Sequence, residues 1–481
     1  MTTHSIRSAL ATLALATLAL TVVGARTGLA QQQSTVDRYI GSWMGTLATP
    51  AAKLRLALTV RRDSSGALAG EMVSVDQGNA TIPATLTLHG DTIVVAMPAA
   101  QASYTGVLGA ANDSIRGSFN QGGSLPLTLG RATILPTVAH PQEPKPPFSY
   151  DARDVTFESV PGVRLAGTIT TPPGDGPFPA VVMVTGSGPQ NRNEELLGHK
   201  PFLIITDYLA RHGIAALRYD DRGTAQSTGS FSTGTSVDFA NDAEAAVRFM
   251  RTQPKIERNH VGIIGHSEGG MIAPMVAARS SDVAFIVLLA GPGIPGDSIL
   301  LLQEQLIATA MGTPPAMVER TTEVNRHLFA AIKSATDSAD AVARVMATEQ
   351  NMLATLPENE RATAEQQLRA ARGPLLTPWM RYFLSYDPRP TLRKVHVPVL
   401  ALDGTLDLQV PYKQDLAAID TALKAGGNRD YRIVQLPGLN HLFQTATTGS
   451  PTEYATISET FSPAALEIIA TWINAHAGTK K

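Results

Sequence analysis

The 481-residue chain has no cysteine. That excludes disulfides, thiolate metal sites, a cysteine nucleophile and a lipidated N-terminal cysteine. Charge is also sparse: 17% of residues are Asp, Glu, Lys or Arg, with a formal net charge of −2. Such a surface offers nothing for nucleic acid or another polyanion. No HExxH, no GxxxxGK[ST] and no GxGxxG followed by a helix and an acidic partner occurs, so no metal, nucleotide or other cofactor is expected. One apolar run is long enough to notice. His4 and Arg7 precede it, and Gly28 and Ala30 follow. At about 14 residues it is short for a membrane span and suits a cleaved signal peptide over residues 1–30. The mature protein is then expected to be secreted or periplasmic, with no membrane span. The composition says nothing about oligomeric state.

What remains is globular, with 43% hydrophobic residues and length for two or three domains. Residues 31–134 alternate polar and apolar, as in "KLRLALTV" and "LTLHGDTIVVAM". This predicts an all-β domain, an antiparallel meander closed as a small barrel or packed as a sandwich. The basic residues Lys53, Arg55, Arg61 and Arg62 read as a solvated strand face. Residues 135–150 carry Pro136, Pro141, Pro144, Pro146 and Pro147, a semi-rigid linker.

From 151 to 481 the pattern changes to alternating strands and helices. Strand-like runs lie at 154–159, 164–171, 180–185, 214–219, 260–265, 283–290, 397–403 and 431–436, with helical patterns at 201–212, 236–252, 268–279, 412–425 and 462–476. The middle strands are continuously apolar, as in a parallel sheet covered on both faces. The expected fold is a doubly wound, mostly parallel α/β sheet with two antiparallel strands at its start. Between about 292 and 390 only helical signals occur. An insertion of that length after the sixth strand reads as a lid.

Gly265-His266-Ser267-Glu268-Gly269 lies where the fifth strand meets a helix. A serine in that place is a nucleophile candidate, since small residues at Gly265 and Gly269 permit a strained turn that lifts Oγ above the sheet. Serine needs a base. Of the downstream histidines, His327 lies in the helical insertion, His396 before the seventh strand and His476 on the terminal helix, whereas His441 follows the last strand in a loop that can return over the sheet. The acid belongs after the seventh strand, in "VPVLALDGTLDLQVP". Asp407, one loop further on, suits it better than Asp403, which is placed to cap the strand end. Oxyanion donors are expected from the amide of Glu268 and from "TGSGPQNRNE", where Ser187 or Gly188 is favoured, Gln190 is possible and Pro189 has no N–H. The side chains of His266 and Glu268 should point away from the reaction. Asp220, Asp221 and Arg222 read as an ion-pair and turn network below the site. Trp379, Met380 and Phe383 fit either an acyl-pocket wall or ordinary lid packing.

The ordered set "VMVTGSGPQNRNE", "LRYDDRGTAQSTG", "GIIGHSEGGMIAP", "VLALDGTLDLQVP" and "LPGLNHLFQ" resembles the α/β-hydrolase superfamily. More narrowly, it is similar to the EstD-like bacterial carboxylesterases, near the serine-aminopeptidase-like and dienelactone-hydrolase-like branch, over about residues 154–477. The resemblance implies Ser267, Asp407 and His441 as a catalytic triad, and cofactor-free cleavage of short to medium acyl esters, a small-molecule substrate. A peptidase or thioesterase is the alternative within enzymes, with Glu319, Glu323 or Glu349 available to anchor a substrate amine. The alternative outside enzymes is an envelope-binding protein with a vestigial hydrolase domain. The N-terminal β-domain lies outside the resemblance.

Overall fold

A computed structural model describes residues 36–48, 53–63, 66–75, 80–132 and 140–477. The expected signal peptide and residues 135–139 of the expected linker lie outside these. The chain divides into two compact units at Val138 and Ala139.

The first unit is a closed barrel of eight sequential antiparallel strands, β1 (Gly41–Ala48), β2 (Lys53–Arg62), β3 (Leu68–Ser74), β4 (Ala80–His89), β5 (Thr92–Met97), β6 (Ala102–Leu108), β7 (Ser114–Asn120) and β8 (Ser124–Ala132). Of the two architectures open from sequence, closure prevails because β8 pairs back on β1, at Trp43↔Arg131. Closure leaves no unpaired strand edge. The period-2 pattern fills the interior with Trp43, Leu58, Met72, Ile93, Tyr104 and Ile115, all at most 0% exposed. The Arg131 guanidinium covers the Trp43 ring at 4.1 Å.

The second unit is an eight-stranded sheet of β9 (Asp151–Glu158), β10 (Arg164–Thr171), β11 (Phe178–Val184), β12 (Ala215–Tyr219), β13 (Ile256–His266), β14 (Ile286–Leu289), β15 (Val399–Gly404) and β16 (Tyr431–Leu436). The order across the sheet is β9-β10-β12-β11-β13-β14-β15-β16. Strands β9 and β10 are antiparallel to each other, and β10 is antiparallel to β12. The pairings from β12 onward are parallel. This is the α/β-hydrolase architecture. Helices α1 (Pro201–Arg211), α2 (Ser236–Met250) and α3 (Glu268–Ala277) connect the central strands. The expected helical insertion forms α4 (Gly296–Ala310), α5 (Pro315–Lys333), α6 (Ser338–Thr355), α7 (Glu358–Leu375), α8 (Pro378–Ser385) and α9 (Arg389–Leu392), and α10 (Tyr412–Ala425) and α11 (Pro463–Ala477) complete the unit. Two apolar clusters cover the two faces of the sheet, one around Val182, Ile263 and Val399, the other around Val181, Ile264 and Leu400. Alternate residues of each strand serve opposite faces, which explains the unbroken apolar runs in the sequence. The insertion has its own small core of Leu328, Phe329, Ile332, Val345 and Leu384.

Residues 140–150 of the expected linker bond into the second unit. The Gln142 side chain accepts from the amides of Thr460 (2.6 Å) and Phe461 (3.1 Å) and donates to the carbonyl of Phe461 (2.7 Å). Tyr150 Oη donates to Asp207 Oδ1 at 2.9 Å. Prolines lack the N–H for a strand ladder, but the side chains between them supply these partners. Among the described residues no helix is long and apolar enough to cross a membrane.

Candidate active site

Strand β13 ends at His266 and α3 begins at Glu268, so Ser267 is a turn of one residue, with φ 51° and ψ −117°. That backbone region is sparsely populated for a residue with a side chain and stores about 1–3 kcal/mol. Sterics explain the flanking glycines: a Cβ on Gly265 would lie 2.0 Å from the carbonyl oxygen of Gly269, and one on Gly269 would lie 2.1 Å from that of Val184. The Ser267 amide donates to Leu289 O at the end of β14 (2.8 Å), which pins the turn to the sheet. Glu194, Ala290 and Phe443, in the loops that follow β11, β14 and β16, also have positive φ (50°, 50° and 59°).

Asp407 and His441 come together although 34 positions separate them. His441 Nδ1 is 2.7 Å from Asp407 Oδ2. The other oxygen, Oδ1, accepts from the amides of Gln409 (2.7 Å) and Val410 (2.9 Å). With the carboxylate accepting, Nδ1 carries the proton and Nε2 is left with its lone pair. Both side chains are buried. The His441 ring centroid lies 4.9 Å from that of His266, next to Ser267 in sequence.

Asp403 behaves otherwise than expected. It is fully buried, and neither oxygen makes a well-formed hydrogen bond among the described residues, although the Asp407 carboxyl and the Gly404 amide lie beside it. Burial drives its pKa well above the usual carboxylate range, and the neighbouring charge of Asp407 adds to this. A buried carboxyl without well-formed hydrogen bonds stays neutral, so Asp403 presents no charge to the imidazole. Asp415, on α10, is a third buried acid nearby. Burial pushes it up to about 7, although the amides of Gly293 and Ile294 donate to Oδ1 at 2.7 and 3.2 Å.

Of the expected oxyanion donors, the amides of Ser187, Gly188 and Glu268 have no hydrogen-bond acceptor among the described residues. The Gln190 amide does: it donates to Asp221 Oδ2 at 2.9 Å, which removes Gln190 from the set. The Glu268 side chain turns inward, accepting from Ser236 Oγ (2.6 Å) and from Trp379 Nε1 (2.8 Å), and burial raises its pKa. Trp379 is thus committed to an anchor between α8 and the elbow. Phe383 stacks on it at 5.2 Å, and Met380 joins the core of the insertion.

The "RYDDRG" residues form a framework. Arg192 Nη2 donates to Asp220 Oδ2 (2.7 Å), Arg222 Nε to Asp242 Oδ2 (2.7 Å), and Thr185 Oγ1 to Asp221 Oδ1 (2.8 Å). The remaining histidines lie elsewhere: His327 pairs with Glu323 at 3.0 Å, His476 with Asp430 at 3.1 Å, and His396 is exposed. Two residues had no signal in the sequence. Glu194 is buried and accepts from the Gly186 amide (2.6 Å), and Arg192 holds Asp220. Both sit in a polar loop whose interior direction only folding sets.

Comparison with known proteins gives the family. A family model described as X-Pro dipeptidyl-peptidase (S15 family) matches residues 161–434, more than half of the chain, and its span includes β13, Ser267 and Asp407. The chain belongs to the S15 family. Among individual relatives, the esterase EstD of Thermotoga maritima is 27% identical over 312 residues, 64% of this chain and 64% of that protein. A peroxisomal succinyl-coenzyme A thioesterase of Mus musculus is 28% identical over 147 residues, 30% of this chain and 31% of the relative. The S15 chain therefore spans less than two thirds of the curated relatives it matches. Among solved structures, the α/β hydrolase GrgF from Penicillium sp. sh18 superposes with a TM-score of 0.43 at 16% identity, over 68% of this chain and 100% of that one.

Proposed function

We propose that this S15-family chain is an exported serine hydrolase that cleaves carboxylic esters of short to medium acyl chains. The observation that carries the reading is the Asp407–His441 bond of 2.7 Å in a fold that holds Ser267 at φ 51°. Ser267 Oγ attacks the ester carbonyl carbon while its proton passes to His441 Nε2. Asp407 keeps the proton on Nδ1 and balances the imidazolium charge. The amides of Glu268 and of Ser187 or Gly188 receive the oxyanion, each worth about 3 kcal/mol of barrier. His441 returns the proton to the departing alcohol and leaves an acyl-Ser267. It then takes a proton from water, whose oxygen attacks the acyl carbon; the bond to Ser267 Oγ breaks, the acid leaves, and His441 returns the proton to Oγ.

The description of the S15 family favours a second reading, cleavage of a peptide with a free amine. That chemistry needs an unpaired acid near the nucleophile. The acids that the sequence offers are engaged or exposed: Glu349 is buried against Arg372, Glu323 pairs with Arg326 and His327, and Glu319 faces solvent. Glu268 and Glu194 are buried in the bonds described above. These facts support the ester reading, and the thioesterase relative keeps acyl thioesters within the same chemistry. The test is a panel of p-nitrophenyl butyrate, butyryl-thiocholine and X-Pro-p-nitroanilides on the mature protein and on Ser267→Ala. Serine-dependent turnover of the ester and none of the anilides is expected, and the reverse pattern would replace this reading with the peptidase. N-terminal sequencing of protein from an exporting host checks removal of residues 1–30.

A further inference from the structure

His266 precedes the proposed nucleophile, and it is buried with an acceptor at each ring nitrogen. Nδ1 lies 2.9 Å from Glu194 Oε1, and Nε2 lies 3.0 Å from the carbonyl oxygen of His441. Glu194 Oε1 also accepts from the Gly186 amide at 2.6 Å, and a second donor on the same oxygen favours the carboxylate, which has no hydrogen to give the ring. A neutral imidazole has one N–H and would set a lone pair against one of these oxygens. Only the imidazolium satisfies both. The surroundings magnify the difference: Phe202, Ile205, Leu289, Leu442 and Phe461 wall the His266–Glu194 pair, and an unmatched polar contact is costly in such a place.

We propose that His266 is held as an imidazolium and that the Glu194–His266 ion pair is a positioning device. It ties the loop of Ser187 and Gly188 to the loop of His441, across the elbow that carries Ser267. This rests on the reading of Ser267 and His441 as nucleophile and base. One oxygen of Glu194 holds the Gly186 amide, fixing the peptides that follow it. One nitrogen of His266 holds the His441 backbone, fixing the base.

The charged and titratable groups facing the ring are Glu194 from the loop after β11, His441, and Asp407 beyond it. Burial pushes the His266 pKa down, but the charge and hydrogen bond of Glu194, the His441 carbonyl and the charge of Asp407 together outweigh this, so the net shift is upward. As pH rises past that ionisation, one of the two contacts loses its proton and one loop is released. The deprotonation therefore belongs to the alkaline limb of the rate profile.

Two measurements decide the matter. The first is a long-range ¹H–¹⁵N spectrum of histidine-labelled Ser267→Ala protein, with His266→Gln to assign the signal. An imidazolium pattern for His266 at pH 7 is expected, and a neutral-ring pattern overturns the proposal whether or not the protein is an esterase. The second is the pH profile of ester turnover in Glu194→Gln, which keeps a carbonyl acceptor but removes the charge. The alkaline limb should move down by about one pH unit or more. At pH 8 kcat should fall roughly tenfold or more with little change in KM, as for a misplaced catalytic group. An unmoved limb in a variant that still melts cooperatively means that Glu194 only packs there, and overturns the coupling. If wild type and Ser267→Ala hydrolyse esters equally, the functional reading fails on its own, and the spectrum still decides the charge of His266.

Discussion

The two units bury different kinds of atoms. In the barrel the described interior is almost wholly apolar, and its buried polar atoms on aromatic rings find backbone partners. Trp43 Nε1 donates to Tyr39 O at 2.7 Å and Tyr104 Oη to Ile115 O at 2.9 Å. The α/β unit buries Asp220, Arg222, His266, Glu268, Asp403, Asp407, Asp415 and His441, and it leaves both oxygens of Asp403 without a well-formed hydrogen bond among the described residues. Buried charge destabilises unless matched. That buried charge is concentrated in the unit that holds the proposed site, and it contrasts with the apolar interior described for the barrel.

Predictions follow from that division. The sharpest is Ser267→Ala, expected to lower ester kcat by roughly 10⁶-fold, as loss of a serine nucleophile does, with an unchanged melting curve. Steady-state kinetics beside calorimetry would show whether the elbow serves turnover alone. Next, Asp407→Asn should cost roughly 10⁴-fold in kcat, the size seen when a triad aspartate loses its acceptor role. Asp403→Asn, four residues away, should stay within a few-fold of wild type. Equal losses in the two variants would erase the distinction between the bonded and the orphaned carboxyl. In the barrel, Trp43→Ala should lower unfolding stability by about 3–5 kcal/mol while ester turnover per folded molecule holds. Collapse of turnover at full folding would end the division of labour.

The smallest effect concerns Asp415, raised to about 7 by burial. A carboxyl whose folded pKa lies above its unfolded value contributes stability that is complete below about pH 4 and is lost as pH rises through about 7. Asp415→Asn keeps an acceptor for Gly293 and Ile294 but cannot ionise. Its unfolding free energy from urea titration should match wild type near pH 4 and exceed it by an amount on the order of a few kcal/mol at pH 8. A gap that fails to widen with pH would show that this buried acid carries no penalty.

Strand positions in the α/β unit were legible because buried parallel strands are uninterrupted apolar runs. The runs at 180–185 and 397–403 fall on the buried parallel strands β11 and β15 to within two residues at each end, and the helix at 412–425 coincides with α10. Shorter strands differ at their ends: 283–290 contracts to Ile286–Leu289, because apolar residues continue into the turns beside the site. The serine, acid and base candidates were legible from their order against these elements. Arg192 and Glu194 were not, because nothing local tells a solvated polar loop from one that folds inward.

By itself the sequence determined the two-part organisation, the alternation of strands and helices, the helical insertion and the residues able to carry the chemistry. These are set by periodicity and by backbone sterics, which act over a few residues. Tertiary structure alone decided that the β-unit closes, that Asp403 lies uncompensated while Asp407 meets His441, that the Gln190 amide is spent on Asp221, and that Glu194 reaches His266 across 72 positions. Those outcomes turn on which polar atoms meet a partner after burial, and hydrogen bonds of about 3 Å between distant segments leave no periodicity in the chain.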